Sequence, residues 1–176
     1  MKRVYFDFAA ATPLSARARI AYSKALSLYG NPSAPHTEGR AARDAIEGAR
    51  VKIARFLNVK PDELVFTSSG TESNNIAILG TTARHCITST IEHSSVLDAF
   101  RILEERGTRV TYVEPGNDGI VPVATILKNI RIDTDLISLV HVASELGTIQ
   151  PVSEIGATLK KLDMKIIFHV DAAQSP

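Results

Sequence analysis

Apolar residues along this chain follow two alternating periods. Short runs rich in β-branched residues stand at Leu64–Thr67, Cys86–Ser89, Val110–Val113, Leu136–Val140 and Ile166–Val170, and each predicts a strand. Amphipathic spacing between them predicts helices over Ser73–Thr82, Ser94–Arg106, Val123–Ile130 and Val152–Leu162. Strand and helix in strict turn imply an α/β fold: a mostly parallel sheet with helices on both faces. The near-continuous apolar character of the strands agrees, because a half-exposed sheet alternates polar and apolar positions.

The first sixty residues differ. They carry helical patterns near Ala16–Tyr29 and Thr37–Leu57 around the loop Gly30-Asn31-Pro32-Ser33-Ala34-Pro35-His36, where two prolines, a glycine and an asparagine break any regular ladder. The expected organisation is a helical arm and loop segment over residues 1–60, then a partial α/β domain over residues 61–176. A parallel α/β domain normally continues past a buried strand with a covering helix, but only Asp171 to Pro176 follow the last predicted strand. The expectation is therefore a fragment, or half of an enzyme completed by a second polypeptide, with exposed sheet surface that favours pairing.

Composition narrows the classes. With 176 residues and 44% hydrophobic side chains the chain has enough apolar surface for one sizeable core. A formal net charge of +1 gives no electrostatic reason to expect nucleic acid or an anionic membrane as partner. Cys86 is alone, so no internal disulfide forms and the cytoplasm is the expected compartment. No apolar run approaches the roughly 20 residues of a membrane-spanning helix.

Three segments carry candidate chemistry. At Thr67-Ser68-Ser69-Gly70-Thr71-Glu72-Ser73-Asn74-Asn75 a strand pattern ends in small polar residues and a helix pattern begins, which serves either as a helix cap through Ser69 or Thr71 or as a phosphate cradle at a helix N-terminus. Asp171 follows an apolar strand directly, so it falls at the carboxyl end of that strand, where open α/β sheets bind ligands; the alternative is a helix N-cap. His93, after Glu92, lies between a strand and a helix and is either structural or functional.

In order along the chain, these and further segments resemble the cysteine desulfurase family of class V aminotransferases. Asp7-Phe8-Ala9-Ala10-Ala11-Thr12-Pro13 is similar to the family's Asp-x-Ala-Ala-Thr-Thr-Pro, and Gly30-Asn31-Pro32-Ser33 with His36, Gly39 and Arg40 to its Gly-Asn-Pro-Ser-x-x-His-x-x-Gly-Arg. Phe66 to Ser73 is similar to Phe-Thr-Ser-Gly-Ala-Thr-Glu-Ser, and His141 to Pro151 to His-Val-Asn-Asn-Glu-Ile-Gly-x-x-Gln-Pro. Glu92-His93 and Asp171-Ala172-Ala173-Gln174 complete the series.

The resemblance implies a fold-type-I enzyme that uses pyridoxal 5'-phosphate (PLP), with no metal, and that works as a homodimer in iron–sulfur cluster assembly. It would convert L-cysteine to alanine and an enzyme-bound persulfide destined for a sulfur-acceptor protein. By resemblance, Thr71 and the amide of Gly70 hold the phosphate, and His93 stacks on the ring and transfers protons. Asp171 pairs with the pyridine nitrogen, Gln174 contacts the phenolic oxygen, and the Asn31 loop shapes the substrate pocket.

Departures are as informative. The family's cofactor-bound lysine and sulfur-accepting cysteine belong to a region downstream of Gln174, and none of the eight lysines present stands in a similar context. The expectation is a chain inactive alone, with three competitors: a noncatalytic remnant or interaction module, a selenocysteine lyase, or an aminotransferase. Cys86, inside a predicted strand, reads as a core residue. Ser144 occupies the position of an asparagine that reaches the cofactor or substrate, and is shorter by two heavy atoms.

Overall fold

A computed structural model describes residues 3–175. The chain forms two compact units, Met1–Phe66 and Thr67–Pro176.

In the first unit, α1 (Ala16–Ala25) is capped by the Ser15 hydroxyl, which accepts from the Ala18 amide, and it buries no residue. Helix α2 (Thr37–Leu57) starts where the His36 ring accepts from the Gly39 amide and ends at Asn58 in the left-handed region. Its buried positions are small, Gly39, Ala42 and Ala54. A Cβ at Gly30 would stand 2.2 Å from the Glu38 carbonyl, so this turn closes only on glycine. A 3₁₀ turn over Pro61–Glu63 follows.

The strand expected over Leu64–Thr67 does not form. Leu64 is extended, but its amide turns back to the Pro61 carbonyl at 3.3 Å and its own carbonyl accepts from the Arg50 guanidinium. Both backbone groups are spent locally, no ladder is made by residues 64–67 among the described residues, and Val65 and Phe66 remain exposed. Arg50 also stacks over the Phe66 ring, 4.8 Å from its centroid.

The second unit carries the alternating elements. They run α3 (Gly70–Leu79), β1 (His85–Ser89), α4 (Ser94–Glu105), β2 (Arg109–Val113), α5 (Val123–Lys128), β3 (Thr134–Ser138), α6 (Val152–Lys161) and β4 (Ile167–His169). The four strands are all parallel, in the order β2-β1-β3-β4. Helix α3 begins three residues before the periodic pattern suggests, because the Ser69 hydroxyl caps it by accepting from the Glu72 amide at 3.2 Å.

The two-residue period of the strands divides the core between two faces. Cys86 of β1 and Leu136 of β3 pack with Ile78, Val96, Ala99, Phe100 and Leu103 from α3 and α4. Their neighbours Ile87 and Ile137 pack on the other face with Ile126, Ile155 and Leu159 from α5 and α6. Each fully buried side chain of this size contributes about 1.5–3 kcal/mol, so the sheet holds both helical layers firmly. Cys86 is fully buried, and burial, with a smaller contribution from Asp135, pushes its thiol up to about 12. No helix among the described residues is long and apolar enough to cross a membrane.

Candidate functional site

Because all four strands are parallel, their carboxyl ends open on one side of the sheet, and the loops after β1, β3 and β4 surround a cavity of about 620 Å³. Gly70, Thr71, His93, Ser144, Asp171 and Gln174 all line it. Asn31 belongs to the other compact unit, where its Oδ1 accepts from the Ser33 amide at 3.0 Å and holds its own loop.

One wall is the N-terminus of α3. Ser69 spends its hydroxyl on the Glu72 amide and its carbonyl accepts from the Ser73 amide, whereas the amides of Gly70 and Thr71 donate to no group among the described residues. Two free amides at a helix start are an anion site by construction. A Cβ at Gly70 would meet nothing within 4 Å, so the backbone here stands open to the cavity. Glu72 is drawn back from this anion site by Ser68, whose hydroxyl and amide both donate to Oε2 and hold its carboxyl below the usual range.

Asp171 lies just past β4, against α3, and is only 8% exposed. Its main chain extends the sheet, the carbonyl accepting from the His141 amide at 2.9 Å. One carboxylate oxygen accepts from the Ala173 amide at 3.0 Å and the other from Asn74 Nδ2 at 2.9 Å. A carboxylate has about four acceptor positions, so these two donors leave capacity for a cationic partner in the cavity.

Asn74, on the buried face of α3, also donates from Nδ2 to Ser95 Oγ at 3.0 Å, and Ser95 Oγ lies 2.8 Å from His93 Nδ1. His93 is itself the N-cap of α4, its Nδ1 accepting from the Ser95 amide at 3.2 Å. The ring stands exposed at the cavity wall.

Glu92 is buried beside it. Its Oε1 accepts from Ser89 Oγ at 2.9 Å and from the Val140 amide at 2.8 Å, tying the end of β1 to the end of β3. Oε2 is buried with no partner among the described residues. Burial, with a smaller push from nearby Asp171, raises its carboxyl to about 7 against the pull of those two donors. Such a group changes charge in the neutral range.

The loop carrying Ser144 is a short hairpin bridged antiparallel at Val142 and Ile149. Gly147, at φ 70°, turns it, and buried Gln150 braces it by accepting from the Val121 amide and donating to the Gly119 carbonyl and Thr148. Ser144 thus sits at the tip of a well-held hairpin, facing the cavity.

Three polar residues of the site, Asn74, Ser95 and Glu92, were not among the candidates read from sequence. Asn74 stands four residues after Gly70 on a helix face otherwise buried, and Ser95 two residues after His93. Their partners lie 21 and 97 residues away in the chain, beyond any local pattern. No lysine lines the cavity among the described residues.

The model of the aminotransferase class-V family matches residues 4–176. The chain is 45% identical over 183 residues to the cysteine desulfurase IscS of Dictyoglomus turgidum, a match covering 99% of this chain and 46% of that protein. Among solved structures, it is similar to SspA in complex with cysteine, with a TM-score of 0.88, 41% identity, and coverage of 97% of this chain and 51% of that one. It is also similar to DndA from Streptomyces lividans, with a TM-score of 0.84, 40% identity, and coverage of 97% and 49%. The chain spans about half the length of the curated relatives it matches.

Proposed function

The chain belongs to the aminotransferase class-V family, whose cysteine desulfurases depend on PLP, and we propose that it carries the N-terminal portion of such a desulfurase-like enzyme. The reaction is removal of sulfur from L-cysteine, giving alanine and an enzyme-bound persulfide. The observation that carries this reading is the cavity itself, lined both by two free amides and by a buried carboxylate with spare acceptor capacity.

That donor set fits PLP. The amides of Gly70 and Thr71, with the Thr71 hydroxyl, would hold the phosphate, helped by the positive end of the α3 dipole. Asp171 would pair with the protonated pyridine nitrogen, the cationic partner its buried carboxylate has room for. His93 would stack on the ring, Gln174 would reach the phenolic oxygen, and Ser144 would approach the same edge from its hairpin. PLP, when bound, supplies an electron-withdrawing ring that weakens bonds at the substrate's α-carbon. Asp171, itself buried, would keep that ring charged. Asn31 is assigned to substrate by resemblance alone.

A lysine that joins the cofactor covalently and a cysteine that takes the sulfur would come from outside the residues lining this cavity, since Cys86 is a core thiol and no lysine among the described residues lines the wall. A complementary polypeptide, a second copy of the chain and a sulfur-acceptor protein are the proposed partners, in the cytoplasm, in the service of iron–sulfur cluster assembly.

The test is complementation. Mixed with a polypeptide supplying a Ser-x-His-Lys segment, the chain should produce alanine from cysteine; an assembled mixture with no activity contradicts the reading and favours a noncatalytic interaction module.

A further inference from the structure

We propose that Asn74 and Ser95 are positioning residues that lock His93 as its Nε2–H tautomer, so that the ring offers a hydrogen-bond donor, not a basic lone pair, to the ligand in the cavity. The proposal deepens the PLP-site reading and rests on it for the identity of that ligand.

The direction of each bond follows from the chemistry of its ends. The Asp171 carboxylate accepts only, so the Asn74 group 2.9 Å from it is the NH₂, which fixes the amide's orientation. That NH₂ donates its second hydrogen to Ser95 Oγ at 3.0 Å. Ser95 Oγ is thereby an acceptor toward Asn74, and its single hydrogen is left for His93 Nδ1 at 2.8 Å. The Ser95 backbone amide, which can only donate, points to the same nitrogen at 3.2 Å. Two donors on Nδ1 require its lone pair, so the ring hydrogen of the neutral imidazole lies on Nε2. The opposite tautomer would set a hydrogen on Nδ1 against the Ser95 amide hydrogen and uncap α4.

The consequence bears on catalysis. A neutral histidine with its hydrogen on Nε2 has no lone pair there to take a proton from substrate. It can donate to an anionic or carbonyl oxygen, or to a sulfur carrying negative charge. The chain also ties the two faces of the site together. Asp171 orients Asn74, Asn74 orients Ser95, and Ser95 orients the ring, so the group facing the pyridine nitrogen and the group against the ring's plane are set by one series of hydrogen bonds.

Long-range ¹H–¹⁵N correlation spectra of the full chain labelled at histidine read the two ring nitrogens directly, without cofactor. His93→Gln assigns the resonances among the five histidines. Expected is a wild-type His93 with unprotonated Nδ1 and protonated Nε2. In Ser95→Ala and Asn74→Leu the two nitrogen shifts should move only part of the way toward each other, because the Ser95 backbone amide still donates to Nδ1, and Ser95→Thr should restore the wild-type pattern. A protonated Nδ1 in the wild type overturns the proposal even if no variant folds. An unchanged tautomer in a folded Ser95→Ala overturns the role of the hydroxyl relay. PLP binding, followed separately by absorbance, fails or succeeds independently: a chain with the Nε2–H tautomer that binds no PLP refutes the cofactor reading and leaves the relay standing.

Discussion

The two ends of the parallel sheet in the Thr67–Pro176 unit are both polar, yet they use their polar groups differently. At the amino ends, charges are consumed by one another. Arg84 pairs with Asp135 through its backbone and guanidinium, and Asp133 is clamped between Arg109 and Arg131. His85, almost fully buried, holds Thr134 with one ring nitrogen and Thr111 with the other, and burial pushes its proton affinity down. At the carboxyl ends, groups are held in place but not used up. Among the described residues, Asp171 keeps acceptor capacity, the amides of Gly70 and Thr71 donate to nothing, and Glu92 buries an unpartnered oxygen. Buried polar groups are as a rule satisfied; among the described residues Thr88 Oγ1 within β1 and Asp133 Oδ1, held only by its ion pair with Arg131, are exceptions elsewhere, and the other unfilled groups lie together at the carboxyl ends, where a ligand completes the set.

The sharpest way to break this contrast is Asp171→Ala. Removing one partner of a buried charge pair costs about 2–5 kcal/mol, so PLP affinity should fall roughly 30- to 4,000-fold, measured by absorbance titration. Equal affinity in the variant would place PLP elsewhere.

Next in size is the pH behaviour of Glu92. Folded Glu92 holds its proton up to about pH 7, whereas an unfolded glutamate releases it near 4.5. Between those values the folded state binds more protons than the unfolded one, so stability falls as pH rises through the window and levels off above it. The effect reaches about 3 kcal/mol at most, since each pH unit of displacement is worth about 1.4 kcal/mol. Glu92→Gln removes this slope, because the amide keeps an acceptor for Val140 and carries no charge. Denaturant midpoints collected from pH 4.5 to 8 should therefore differ in slope between the two proteins; parallel curves would show that Glu92 ionises normally.

Smaller still is Thr71→Val, which removes one hydroxyl from the proposed phosphate cradle. A single such hydrogen bond to a charged group is worth about 1.5 kcal/mol, so PLP should bind roughly tenfold more weakly, while pyridoxal without the phosphate binds wild type and variant alike. At the bottom of the scale, Asp135→Ala at the amino ends should leave PLP affinity unchanged, because that carboxylate is paired with Arg84 at the far end of the strands.

Sequence pattern anticipated most of the fold for a physical reason. Strands β1 and β3 are buried on both faces because helices cover both, so Cys86 and Ile87 had to be read together as one buried run. Leu64–Thr67 looks the same by pattern but fails as a strand, since a strand also needs a neighbour and Leu64 gives its backbone groups to Pro61 and Arg50. The site divides similarly. Gly70, Thr71, His93 and Asp171 stand at helix starts or just past a strand, which local pattern and resemblance both mark, whereas Ser144 and Gln174 are marked by resemblance alone. Asn74 and Ser95 sit inside helices, where a polar residue reads as surface until the fold brings Asp171 and His93 against them.

The claim that the carboxyl ends are the unfilled, ligand-binding end of the sheet is tested most directly by mapping amide ¹H–¹⁵N shifts as PLP is added to the chain. The account predicts shifts concentrated at Gly70, Thr71, His93 and Ala173, with Arg84, Arg109 and Thr134 unmoved. Shifts centred on the amino-end residues, or no saturable shifts at the carboxyl ends, would contradict it.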